Sequence, residues 1–245
     1  MQPNPNSSTP LYIQIKELLH SQIQSGQFAV GDRLPSEREL SESYNVSRMT
    51  ARQALQLLEQ DGLTQRQVGK GSYVARPQID QDLRELTSFT QDMSARGLRP
   101  QNRVLLAELQ PADPEVADHL QARTGEPVVV LQRVRLADGK PIALETAHLL
   151  HRTCPGILTN HDFARASLYH VLKEHYGLHL VWATQIIGAR MPDRFERDAL
   201  DLPKRVPVLS LLRVTYDESD RPIEFVRSCY NSERYQLRTT LRDLR

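Results

Sequence analysis

The chain has 245 residues, of which 39% are hydrophobic and 25% charged, and its formal net charge is +1. That length suits two small domains or one large one, and that balance excludes disordered and collagen-like chains. No apolar run is long enough to span a bilayer, and Met1 to Thr9 has no basic stretch leading into an apolar one, so a cytoplasmic protein without a membrane partner is expected.

Residues 1–9 are polar and proline-bearing and are expected to form a disordered tail. From Leu11 the apolar residues Tyr12, Ile15, Leu19 and Ile23 recur at three- and four-residue steps, which predicts an amphipathic helix stopped by Gly26. A second helix starts at Ser36, whose hydroxyl caps it while Glu39 completes a capping box. Arg38 then lies in the first turn, free to meet a phosphate or a base edge, or to pair with Glu42 one turn later.

A third helix, capped by Ser47, places Ala51, Ala54, Leu55 and Leu58 on one inward stripe, with Arg48 and Arg52 sharing the outward face. It ends at Gly62. Leu63 to Val68 and Ser72 to Ala75 then pair as strands around the tip Gly69-Lys70-Gly71. Two helices meeting at a tight turn, followed by a ribbon with a basic tip, are the layout of a winged helix-turn-helix. A guanidinium matches the two acceptors of guanine's major-groove edge, so Arg48 and Arg52 suit base reading, although a surface arginine pair also serves to solvate a helix. Bulk charge does not make this case, because residues 1–76 hold eight Lys or Arg against seven Asp or Glu.

The runs Leu34 to Leu40, Val46 to Leu55, Leu58 to Leu63 and Gly69 to Val74 closely resemble the GntR family of bacterial transcription regulators, over nearly all of residues 10–76. The resemblance implies a homodimeric repressor that reads a palindromic operator in double-stranded DNA. Its implied contact positions are Ser36, Arg38, Ser47, Arg48, Met49, Thr50, Arg52, Gly69, Lys70 and Gly71. Met49 departs from the family, where small polar residues are often found, and this bears on base preference.

Residues 77–84 are polar without a clear period and are expected to be a linker, leaving 85–245 as a second domain. Its main feature is an internal repeat. Asp113 opens a helical stretch to Leu120, Pro127 to Val134 reads as a strand, and Gly139 to Ile142 begins its return; eighty residues on, Asp193 to Leu200, Pro207 to Val214 and Asp220 to Ile223 repeat the order. Two such units predict a mainly antiparallel sheet backed by helices, an α+β fold. Between them a helix led by Ser167 ends at Gly177, and Thr87 to Thr90 precedes another helix start.

Strand alternation puts Arg133 and Arg135 on one face, and Glu145 and Glu224 share a parity on the return strands. Two guanidiniums and a helix start form a plausible anion site; the plainer alternative pairs both arginines with surface carboxylates and leaves Ser167 as a cap.

The segments Leu86 to Met93, Arg133 to Arg135, Pro141 to Thr146 and Ala166 to Tyr169 resemble the UTRA effector-binding domain of the HutC-like branch, which shares the chorismate lyase fold. That resemblance implies a dimerising, ligand-sensing domain. It assigns a phosphate to Ser88, Phe89, Thr90, Arg133, Arg135, Ser167 and Tyr169, a sugar to Glu145, Glu224 and Tyr230, and support to Arg227. Glucosamine-6-phosphate or N-acetylglucosamine-6-phosphate is the implied effector, with another sugar phosphate, a phosphonate-related compound or urocanate as alternatives.

An enzyme of the shared fold, with Glu145 or Glu224 as a base beside Arg133, is the rival reading; a DNA reader fused in front favours sensing. Cys154 and Cys229 form no paired motif and are expected to be buried thiols. The pairs His148/His151 and His175/His179 lack completing ligands, so neither a metal nor another cofactor is expected.

Overall fold

A computed structural model describes residues 3–5, 7–67, 69–75 and 78–241. The chain divides into two compact units, Met1–Gln78 and Ile79–Arg245.

In the first unit, α1 (Leu11–Gln24) buries Ile15 and Leu19 and packs Tyr12 and Ile23 at the edges of the same stripe. Gly26 follows at φ 79°, a left-handed position that suits glycine. The second helix, α2 (Glu37–Tyr44), begins in a full capping box: Ser36 Oγ accepts the Glu39 N–H at 3.2 Å, and the Glu39 carboxylate accepts the Ser36 N–H at 2.7 Å. Asn45, left-handed at φ 50°, turns the chain into α3 (Arg48–Gln60), where Ser47 Oγ accepts the Thr50 N–H at 3.1 Å.

Ala51, Ala54, Leu55 and Leu58 of α3 join Ile15, Leu19, Leu34, Leu40 and Val74 in one core. Each large aliphatic side chain buried there contributes about 1.5–3 kcal/mol. The wing is β1 (Thr64–Gln67) paired antiparallel with β2 (Gly71–Val74), Thr64 opposite Val74 and Gln67 opposite Gly71. Val68, expected at the end of the first wing strand, lies outside the described residues. A segment not foreseen as structured adds to the wing's other edge: Leu34 N–H donates to Ser72 O, and Val74 N–H to Asp32 O, both at 2.8 Å.

The described part of the expected disordered tail is tied to α1. Gln14 accepts the Asn4 N–H at 2.8 Å and donates to the carbonyls of Asn4 and Thr9 at 3.0 and 2.6 Å.

The expected linker 77–84 is corrected by β3 (Ile79–Asp82), which pairs in parallel with the last strand, β10 (Tyr235–Arg238), Ile79 opposite Tyr235. Its alternation, Ile79 and Gln81 inward, spans only four residues, and its partner is the whole domain away in sequence. Arg76 and Pro77 lie outside the described residues. Next comes α4 (Phe89–Ala95), whose N-terminus is another capping box, Ser88 with Gln91.

The expected repeat is present and carries one element more on each side. The first copy is β4 (Pro100–Pro111), α5 (Pro114–His119), β5 (Pro127–Ala137) and β6 (Lys140–Leu150). After α6 (Ile157–Asn160) and α7 (Leu168–Tyr176), the second copy is β7 (Leu180–Arg190), α8 (Arg194–Ala199), β8 (Val208–Asp217) and β9 (Pro222–Asn231). The six strands order as β4-β5-β6-β9-β8-β7, every pairing antiparallel, so the copies meet at β6 and β9 and the unforeseen strands β4 and β7 form the edges.

Period-two alternation divides the sheet's core. On one face Val129, Leu131, Ala147, Leu149 and Val226 pack with Leu168, Val171 and Leu172 of α7. On the other, Val128, Val130 and Phe225 pack under α5, while Val134, Leu144 and Val208 pack with Ala199 of α8. Arg133, Arg135 and Glu145 continue the α7-side rows beyond the apolar stretch.

Candidate functional site

In the first unit, the start of α2, the outward face of α3 and the second wing strand enclose a concave surface lined by Ser36, Arg38, Arg48, Arg52, Arg66, Gly71 and Ser72, among others. The core stripe of α3 faces inward, so its two arginines are left exposed on this concavity. Arg38 pairs with Glu42 at 3.6 Å, both groups exposed, a contact worth under about 1 kcal/mol and easily exchanged for a phosphate. Ser47 spends its hydroxyl on Thr50, at 3.1 Å to the N–H and 2.8 Å to the side chain, and so sets the helix start. Met49 is 69% exposed beside them. Gly69 and Lys70 form the exposed wing tip and do not line the concavity.

Sequence reasoning missed Arg33 and Arg66. Arg66 follows from strand parity in β1, and it lies 3.6 Å from Glu37. Arg33 sits in the segment that joins the wing. A Cβ on Gly71, whose φ is 108°, would stand 3.2 Å from Arg33 Nε.

In the second unit one cavity, on the α7 side of the sheet, gathers Ser88, Phe89, Arg133, Arg135, Glu145, Ser167, Tyr169, Glu224 and Tyr230. Of the expected effector residues Thr90 alone is not on its wall. Arg227 points to the opposite face, where it meets Glu115 at 2.8 Å, and so gives the site no direct support. Ser167 is the N-cap of α7 but makes no side-chain capping bond, which leaves its hydroxyl at the wall.

Neither arginine pairs with a surface carboxylate. Arg133, 1% exposed, and Arg135, 3% exposed, share the half-buried Glu145: its Oε1 lies 2.5 Å from Arg133 Nη2 and 3.4 Å from Arg135 Nη1. Arg133 and Glu145 are direct cross-strand partners on β5 and β6. Arg135 also lies over the Phe89 ring, 4.6 Å from its centroid. Nε and Nη1 of Arg133 and Nε of Arg135 have no hydrogen-bond partner although buried. Such donors are costly unless an acceptor reaches them.

Burial works against ionisation of Glu145, but Arg135 and Arg133 hold its carboxyl below the usual range. Glu224 goes the other way: burial, then the charge of Glu145, pushes it up to about 7, while Tyr169 donates to it at 3.0 Å. Burial and the neighbouring Arg133 pull Arg135 down to about 10, so it stays charged near neutrality. A salt-bridged carboxylate held by two arginines is a poor base, which weakens the enzyme reading at Glu145.

Sequence reasoning missed Arg213, Gln81 and Tyr235 on the same wall. Arg213 was legible from the repeat, since it stands eighty residues after Arg133. Gln81 and Tyr235 carry no motif; the β3–β10 pairing brings them there. Cys154 and Cys229 are buried, and burial raises their thiols to about 11 and about 12. His148 is a core residue bonded to Phe225 O, and no cluster suited to a metal occurs among the described residues. No helix among the described residues is long and apolar enough to cross a membrane.

Comparison with known proteins agrees with this layout. The family model "Bacterial regulatory proteins, gntR family" matches residues 11–74, and the model of the UTRA domain matches residues 95–236. The transcriptional repressor NagR of Bacillus subtilis is 34% identical over 95% of both chains. The mannosyl-D-glycerate transport/metabolism system repressor MngR of Escherichia coli is 30% identical over 93% of this chain and 94% of its own. The crystal structure of PhnF from Mycobacterium smegmatis superposes with a TM-score of 0.81 at 33% identity, covering 94% of this chain and 99% of that one. The two sequence relatives are named as repressors of transcription and none of the three as an enzyme.

Proposed function

We propose that this chain, which belongs to the GntR family of bacterial regulatory proteins, is a homodimeric repressor whose grip on a palindromic operator is altered by a phosphorylated amino sugar bound in the second unit. Family membership makes it a DNA-binding, ligand-responsive transcriptional regulator and not an enzyme. The finer points rest on the two sites. Arg48 and Arg52 read base edges from α3, with Ser36, Arg38 and the wing tip positioning the unit on phosphates.

The observation that carries the ligand reading is the pair of buried guanidiniums on the cavity wall with three unpartnered donors, Arg133 Nε and Nη1 and Arg135 Nε, beside Ser167 and Tyr169 on the same wall. Forked donors suit a phosphate. Glu145 and Glu224 on the same wall supply acceptors for several O–H or N–H donors, which fits glucosamine-6-phosphate or N-acetylglucosamine-6-phosphate better than a flat carboxylate such as urocanate.

Thermal unfolding of the full chain against sugar phosphates, their free sugars, a phosphonate, inorganic phosphate and urocanate tests this. Binding at a hundredfold excess over Kd stabilises by about 2.7 kcal/mol. Stabilisation by one amino-sugar phosphate, absent with its free sugar, is expected; stabilisation by urocanate alone overturns the ligand reading.

A further inference from the structure

Glu145 stands where an anion would. One of its oxygens serves two guanidiniums, 2.5 Å from Arg133 and 3.4 Å from Arg135, while three other donors of the same pair find no acceptor. A guanidinium fork is satisfied by an anion that offers several oxygens at once, which a single shared carboxylate oxygen does not do. The cavity around them has a volume of about 40 Å³, room for a water or two and far less than a phosphorylated hexose.

The backbone of Glu145 has little freedom to make that room. It sits in the middle strands of the sheet, opposite Arg133 on β5 and Ser228 on β9. Its side chain is the part that can yield.

We propose that Glu145 is a built-in counter-ion of Arg133 and Arg135, so that an effector enters the pocket by displacing its carboxylate, and that this exchange makes Glu145 the residue that selects anionic ligands. A neutral sugar has no charge to trade for Glu145 and leaves the ion pair closed. A phosphate monoester brings three terminal oxygens, enough to take the two donors now bound to Glu145 and to reach those without acceptors. The released carboxylate then accepts from ligand hydroxyls. This rests on the reading of the cavity as the effector pocket.

Inorganic phosphate is the probe, titrated calorimetrically into the full chain. If Glu145 keeps the arginines engaged nine-tenths of the time or more, Glu145→Gln binds phosphate at least about tenfold more tightly than the parent. The double variant Glu145→Gln, Arg133→Gln loses that gain, which excludes a general effect of removing negative charge. N-acetylglucosamine, a neutral control without phosphate, gains nothing. Equal or weaker phosphate binding by Glu145→Gln, or a gain that survives in the double variant, overturns the proposal.

Should Glu145→Gln fail to fold, Glu145→Asp, one methylene shorter, is expected to shift phosphate affinity in the same direction by less. No shift in that variant counts against the proposal equally. Arg133→Gln alone separates the two readings: unchanged binding of the effector found by thermal unfolding sinks the pocket assignment itself. Loss of that binding, without a phosphate gain in Glu145→Gln, sinks only the counter-ion.

Discussion

The Tyr235 hydroxyl donates a 2.6 Å hydrogen bond to Oε1 of Gln81, joining the last strand of the chain to the first strand of the second unit. Gln81 is 6% exposed, and Tyr235 stacks on Tyr230 with ring centroids 4.3 Å apart. All three line the cavity of the second unit. The strand through which the chain leaves the DNA-binding unit is thus part of the pocket wall, and ligand that shifts Tyr230 or Tyr235 acts on β3 directly.

Tyr235→Phe keeps the ring stack and deletes this bond, leaving a buried amide oxygen without its donor at a cost of about 1–3 kcal/mol. Its operator affinity without effector is expected to match the parent, while the change on adding effector shrinks from the usual 5–150-fold range of allosteric coupling toward about one. Fluorescence anisotropy of labelled operator with and without saturating effector checks this. An undiminished effector response would show that Gln81 and Tyr235 do not couple the pocket to β3.

Glu224 gives a pH signature. Its pKa is raised to about 7 in the folded chain, against about 4.3 unfolded, so the folded state holds the extra proton between those values. Stability from this group is therefore lost as pH rises from about 4.5 to about 7, by roughly 3 kcal/mol in total. Glu224→Gln, which mimics the protonated form and keeps an acceptor for Tyr169, is expected to raise Tm at pH 8 and to leave it nearly unchanged at pH 4.5. A Tm gain equal at both values would assign the effect to packing rather than to the buried charge.

The residues also explain which parts of this architecture were legible. Capping serines, a left-handed asparagine and three-four periodicity act within a few residues, so the helices of the first unit could be read locally. The eighty-residue repeat exposed the inner strands because they alternate between two covered faces. β4 and β7 lie at the edges, where no position is fully buried, and the residue types do not follow the faces: in β4 Leu105 and Leu109 are exposed while Asn102 and Gln110 are half-buried. β3 needs a partner about 156 residues away. Expected roles shifted for the same reason. Arg227 falls on the opposite parity from Ser228 and Glu224, so alternation, applied strictly, already places it on the far face.

Gly71 is predicted to be the more sensitive of the two glycines at the wing tip. Its φ of 108° is strained for any residue with a Cβ, and the added carbon would press on Arg33 at 3.2 Å. Gly71→Ala is expected to destabilise the first unit by about 1–3 kcal/mol and to weaken DNA binding. Gly69, at φ 74° with open space around it, is expected to tolerate alanine better, since only the backbone penalty of about 1–2 kcal/mol applies. Chemical denaturation of the two variants checks the order; an equal loss would remove Arg33 from the account.

The final prediction separates base reading from phosphate contact within one interface. Arg48 and Arg52 project from α3 into a concavity whose other walls are the α2 start and β2, so a duplex seated there brings base edges to α3 and its backbone to the rim. Arg48→Ala and Arg52→Ala should each cost about 1–3 kcal/mol on the operator and much less on random duplex, because a bidentate pair with guanine is lost only where guanine was read. Lys70 sits at the exposed wing tip as a point charge, so Lys70→Ala should weaken operator and random DNA alike and reduce the slope of log K against log salt by about 0.9. Binding isotherms on both duplexes across a salt series distinguish the classes. Equal losses on the two duplexes for Arg48→Ala would make that arginine a phosphate contact, and the burden of sequence reading would pass to Arg52 and the exposed Met49 beside it.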